Sequence, residues 1–285
     1  MCNLGLSNNT LKSIALYFFH FMVHYNQQNT SLSYSSKEGT IMRKAWLVTF
    51  IRLPLLLVTM ALFSVILNIS FPFAPDIAVL YFMIVNIISL FFMIHLLKAE
   101  NRTIWDVIDY QKHRLGKDIL WGILWIFVLF IPFAIAINGV AFLMYGTDYI
   151  NQFQVIFAGD LATTPNLTPL WLRWFGAIIA LFFPFLNAPI EEIMYRGYAQ
   201  PKFTKGYGSA LAGIIIPSIG FGLQHFMLAA SWQGALVYIV AFFFWGLGSS
   251  LIFHVHQRLF PIIIAHFFVN FAFAAFPIVF LTLGM

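Results

Sequence analysis

The sequence predicts an all-α membrane protein, a polytopic bundle of about seven transmembrane helices. Hydrophobic residues fill 61% of the 285 positions and charged residues 9%, against about 25% charged in a soluble domain. Charge-free stretches near the roughly 20 apolar residues needed to span a bilayer recur along the chain. Lysine and arginine alternate between the loops joining those stretches, as membrane topology requires. The net charge of +5 suits a negative membrane surface. No basic run is interleaved with exposed aromatics, so no nucleic-acid partner is expected. The one cysteine, Cys2, excludes an internal disulfide and a cysteine-rich metal site.

Residues 1–45 are mixed and polar and read as a cytoplasmic N-terminal segment. Within it Leu11, Ile14, Phe18, Phe21, Met22 and Tyr25 recur at helical spacing, the pattern of an interfacial helix. That helix would be an eighth span if it inserted. Residues 46–118 hold two spans, Leu53–Pro75 and Ile77–Leu97, and a charged loop. Residues 119–285 hold the rest: Ile119–Thr147, the slightly shorter Trp174–Ile190, two spans within Gly206–Gln257, and Leu259–Met285. Lys37, Arg43, Lys44 and Arg52 precede the first span, Lys98 to Lys117 separate the second and third, Lys202 and Lys205 follow the fourth, and Arg258 precedes the last. The intervening loops near 71–76, 146–170 and 229–233 are read as the opposite side. The N-terminus is therefore expected in the cytoplasm, with the Glu191 end of the fourth span facing it.

That end carries Glu191, Glu192 and Arg196 in the stretch Pro189–Gly197. A carboxylate at membrane depth costs roughly 2.5–3.5 kcal/mol on insertion scales and is tolerated where it pairs or faces a polar cavity. Glu192 and Arg196 are i and i+4 and meet on one helical face. Glu191 lies about 100° around the helix and needs a partner from elsewhere. Two later pairs offer partners: Phe221 with His225, and His266 with Asn270, each on one face of an apolar span. Lipid satisfies no polar group, so these residues must satisfy one another. A carboxylate beside an imidazole can hold and deprotonate a water, and a second imidazole with an amide can donate to a developing oxyanion. The same Glu191, His225 and His266 could alternatively bind Zn²⁺ and lower the pKa of its water, although there is no HExxH. Ser218, Ser249 and Ser250 read as packing residues, so no serine nucleophile recommends itself.

The ordered set EExxxR at 191–196, FxxxH at 221–225 and HxxxN at 266–270 resembles the CAAX protease and bacteriocin-processing (CPBP, or Abi) family. These are intramembrane endopeptidases related to the type II CAAX prenyl endopeptidase. The resemblance covers roughly residues 120–275, making 119–285 the protease core. It implies that Glu191 activates the water, His225 shares it, His266 and Asn270 stabilise the oxyanion, Glu192 pairs with Arg196, and Phe221 packs. It also implies a peptide or protein substrate, lipidated or not, in CAAX-type or bacteriocin and self-immunity processing, and a bacterial plasma membrane. The family has been described both as glutamate-type and as metallo-endopeptidase, so the cofactor is none or Zn²⁺. Two rival readings are a catalytically inactive membrane scaffold or regulator, and a small transporter using the buried set as a relay.

One spacing resists the convergence. His225 lies 17 residues beyond Gly208, about 26 Å along a straight helix, whereas Glu191 and His266 are expected near the cytoplasmic face. The sequence therefore predicts that the helix bearing His225 begins near Pro217, with residues 203–216 lying shallow or forming a separate helix.

Overall fold

A computed structural model describes residues 34–69, 71, 77–159 and 168–283. The expected interfacial helix and its eighth-span variant lie outside them. The helices are α1 (Tyr34–Phe50), α2 (Arg52–Leu67), α3 (Ala78–Lys98), α4 (Ile104–Ile108), α5 (Leu115–Tyr145), α6 (Phe153–Ala158), α7 (Leu170–Glu192), α8 (Gln200–Tyr207), α9 (Ala210–Gln224), α10 (Trp232–His256) and α11 (Phe260–Thr282). Strands are absent among the described residues. Among the described residues, seven runs are long and apolar enough to cross a membrane: Gly39–Leu67, Ala78–Lys98, Ile104–Asp148, Leu170–Tyr207, Ala210–Leu228, Trp232–His256 and Phe260–Val279. The expected all-α polytopic bundle is therefore what the chain forms. The chain divides into two units, residues 1–43 and 44–285; the site and the packing that holds it lie in the second.

Local sequence explains the breaks. Pro54 has no N–H to donate to the turn before it, but Ile51 keeps helical angles (φ −59°, ψ −30°) and α1 runs on into α2 as one span, Gly39–Leu67. Ser209 caps α9 by accepting from the Ala212 N–H, and Ser231 caps α10 by accepting from the Gly234 N–H. Such caps replace partners that the first helical turn lacks. Pro261 stands in the first turn of α11, where a missing N–H costs nothing. At the Ala78 end of the bundle, Leu56, Met60, Tyr81, Phe82, Val85, Leu172 and Met227 form an apolar core that joins α2, α3 and α7 to the turn after α9.

The fourth span does not stop at Ile190. It continues from α7 through a π-helical stretch, Ile193–Ala199, into α8 and ends at Tyr207. A sharp turn follows, with Gly208 at φ +61°, and α9 returns antiparallel to α8. The predicted helix start at Pro217 is thereby corrected: α9 runs unbroken from Ala210 to Gln224 with Pro217 inside it. The separate short helix exists, but it is α8. The longer fourth span removes the depth conflict, because Glu191 and His225 stand 17 residues to either side of Gly208 on the two arms of one hairpin.

Candidate active site

The hairpin register can be read from its contacts. A Cβ on Gly213 would meet the Thr204 side chain and the Gln200 carbonyl oxygen, so Thr204 and Gly213 face each other near the turn. Further in, the rings of Tyr195 and Phe221 meet edge to face at 5.4 Å. Continued inward, this antiparallel register sets Glu192 level with His225. Every residue from Ile190 to Gln200 is buried, which an amphipathic helix would not allow, since one of its faces would stay open. The π-helical stretch begins immediately after Glu192. Such widened turns are frequent at functional sites.

Four fully buried charged side chains meet here: Arg52, Glu191, Glu192 and Arg196. Arg196 donates from Nη1 to Glu192 Oε1 (3.2 Å) and from Nη2 to the Gly246 carbonyl on α10 (3.1 Å). Its guanidinium also lies 4.4 Å from the Phe221 ring centre, a cation–π contact. His266, from α11, donates from Nδ1 to the same Glu192 Oε1 (2.9 Å). Its Nε2 stands 3.7 Å from Glu191 Oε2, which has no hydrogen-bond partner. The other oxygen of Glu191, Oε1, accepts from Arg52 Nη2 at 2.8 Å. Arg52 Nε donates to Gln224 Oε1.

His225 begins a 3₁₀ turn at the end of α9. Its Nδ1 donates to the Phe221 carbonyl (2.6 Å), because a carbonyl can only accept. In the neutral ring, Nε2 therefore keeps its lone pair. The ring stacks on Phe242 at 3.6 Å. It makes no hydrogen bond to Glu191 among the described residues. Phe221 is the common neighbour of both imidazoles, 4.7 Å from His225 and 6.0 Å from His266 between ring centres. Asn270 lies one turn beyond His266 on α11, with its Nδ2 buried and unpartnered.

The motif residues thus fall into two groups. Glu191, Glu192, Arg196 and His266 share one charged cluster; His225 joins it through Phe221, and Asn270 stands apart by a helical turn. Sequence reasoning missed Arg52, Gln224 and the hydrogen bond from His266 to Glu192. Arg52 was legible as the single charge between Ala45 and Leu67, but it reads equally as an interfacial anchor. Asn86 and Ser89 on α3, and Asn187 one turn before Glu191, are further buried polar side chains with unpartnered atoms.

The donor set does not fit zinc. Glu191 offers only Oε2, since Oε1 is engaged by a guanidinium, and His266 offers only Nε2, since Nδ1 is held by Glu192. Among the described residues no three side chains of His, Cys, Asp or Glu converge on a point that could hold a metal ion. A tetrahedral zinc site needs three or four such donors at about 2.0–2.2 Å.

Residues 171–272 match the family model described as type II CAAX prenyl endopeptidase Rce1-like. All seven motif residues lie inside that segment, and the match is to the CAAX protease family that they resemble. No curated protein and no solved structure matches the chain.

Proposed function

We propose that the protein is an intramembrane endopeptidase of the CAAX type, in which Glu191 and His225 activate a water and no metal takes part. The observation that carries this reading is the free oxygen of Glu191. It is a fully buried carboxylate oxygen without a hydrogen-bond partner, facing an imidazole nitrogen 3.7 Å away. A buried acceptor left unmatched is costly, and a water donating to it would satisfy it. His225 supports the pairing, since its free Nε2 can accept the second water proton.

The hydrolysis follows in two steps. The water oxygen bonds to the scissile carbonyl carbon while its proton passes to Glu191 Oε2, and the carbonyl electron pair moves onto oxygen. Asn270 Nδ2 donates to that oxyanion, and His266 Nε2 does so when the ring is the imidazolium, the form in which Nε2 carries a proton while Nδ1 donates to Glu192. The proton then passes from Glu191 to the departing nitrogen as the C–N bond breaks, leaving a carboxylic acid and an amine. Glu192 holds His266 by Nδ1 and is itself held by Arg196, so the imidazole is fixed before substrate arrives.

The substrate is a peptide or protein segment, best matched by a lipidated C-terminus, reaching the site from the cytoplasmic face or laterally from lipid. The core of the enzyme is residues 119–285, and the protein sits in a bacterial plasma membrane with its N-terminus in the cytoplasm. The test is a quenched fluorescent peptide bearing a farnesylated cysteine followed by three residues, incubated with purified protein in liposomes. Product mass should show cleavage at the cysteine by the native protein and none by His225→Ala. Equal cleavage by both would defeat the reading.

A further inference from the structure

Arg52 belongs to the first span, outside the segment that matches the family, yet it reaches the centre of the site. We infer that Arg52 is a positioning residue for Glu191, so that the hydrolytic site is completed by the N-terminal helix pair and not by the protease core alone. This inference rests on the proposed hydrolysis.

The geometry is specific. Arg52 is fully buried, and its guanidinium spans two elements, with Nη2 on Glu191 Oε1 at 2.8 Å and Nε on Gln224, the residue before His225. It therefore bridges the two arms that carry the water-activating pair. By occupying Oε1 it fixes the carboxylate rotamer and leaves Oε2 alone to meet a water. An arginine fork does this with two directed bonds; a lysine would supply charge from a single flexible point. A buried carboxylate and a buried guanidinium are each costly alone and become tolerable as a pair.

The approach that allows this contact is also built into the chain. A Cβ on Gly220 would come within 2.6 Å of the carbonyl oxygen and Cγ2 of Thr49. Only glycine lets α9 lie this close to the end of α1, less than one turn before Arg52. The first span is held at its other end as well. Glu100 pairs with Lys44 (3.8 Å) and Lys202 (2.8 Å), and accepts from Tyr198 at 2.6 Å. The first span is thus tied to the π-helical stretch and α8 through Glu100, and to Glu191 through Arg52.

The experiment measures kcat and KM of Arg52→Gln, Arg52→Lys and Glu191→Gln on the farnesylated peptide in liposomes, normalised to monodisperse protein. Arg52→Gln should lower kcat at least 100-fold with KM within threefold of native, and Arg52→Lys should recover at least tenfold of that loss. A folded Arg52→Gln with kcat within threefold of native, beside an inactive Glu191→Gln, overturns the inference and leaves the hydrolysis standing. If Glu191→Gln is also active, the hydrolytic reading itself falls. If Arg52→Gln does not fold, the double variant with Glu191→Gln decides. Recovery of a monodisperse protein, with a melting temperature above that of Arg52→Gln, supports the pairing; no recovery contradicts it.

Discussion

Glu192 and His266, separated by 74 residues of sequence, are joined by a 2.9 Å hydrogen bond from the imidazole Nδ1 to the carboxylate Oε1. That oxygen also accepts from Arg196. One carboxylate oxygen therefore anchors α11 to the hairpin arm that carries Glu191. Removing the carboxylate leaves a buried guanidinium uncompensated, a change that costs about 3–5 kcal/mol. Glu192→Ala should show that loss in thermal unfolding in detergent. Glu192→Ala with Arg196→Met should recover part of it, because the stranded charge goes too.

The contact between α9 and α10 sets His225. A Cβ on Gly222 would lie 2.7 Å from the Ile239 carbonyl oxygen and 2.9 Å from the Phe243 nitrogen. Both neighbours are backbone, so a larger side chain must push the helices apart. Gly222→Val should destabilise the protein by about 1–3 kcal/mol. It should also cut peptide cleavage more than Gly116→Ala, a position with open space around its Cα. Parallel melting curves and cleavage rates check this.

Much of the bundle was legible in the sequence, because apolar length and lysine and arginine placement act locally. The cluster was legible only in part. Glu192 and Arg196 announce themselves at i and i+4, whereas nothing local says that His266 will also bind Glu192. The depth of His225 is not legible in the sequence, because nothing local shows that the span carrying Glu191 runs on to Tyr207. Tyr195, Arg196, Tyr198 and Gln200 look like the polar start of a loop, yet all are buried, enclosed by α10 and by the loop that carries Glu100. Arg52 reads as a charge outside the membrane for the same reason, yet it is fully buried. A single arginine at the edge of an apolar run does not reveal whether it faces water or a carboxylate 139 residues away.

Glu100 supplies a pH-dependent tie. Its partial burial raises the carboxyl, but hydrogen bonds from Lys202 and Tyr198 and the charges of Lys202 and Lys44 outweigh that and hold it below the ordinary value of 4.5. A depressed carboxyl stabilises the fold above its unfolded value and loses that contribution as pH falls through its folded value. Glu100→Gln should therefore melt below the native protein at pH 7, and the gap should close on acidification below pH 4.5. A gap that widens on acidification would contradict this sign.

Among the described residues no three His, Cys, Asp or Glu side chains converge on a point that could hold a zinc ion. Purified protein should carry no stoichiometric zinc by elemental analysis, and peptide cleavage should be unchanged by a chelator. Loss of cleavage with chelator and its return with added Zn²⁺ would contradict the metal-free reading.

The most direct measurement is the cleavage rate of Glu191→Gln on the farnesylated peptide in liposomes, beside its melting curve. The substitution keeps shape and removes the acceptor that takes the water proton. The account predicts at least a 1,000-fold fall in rate in protein that remains folded and inserted, in line with losing an essential general base. Cleavage within tenfold of native by a folded Glu191→Gln would contradict it.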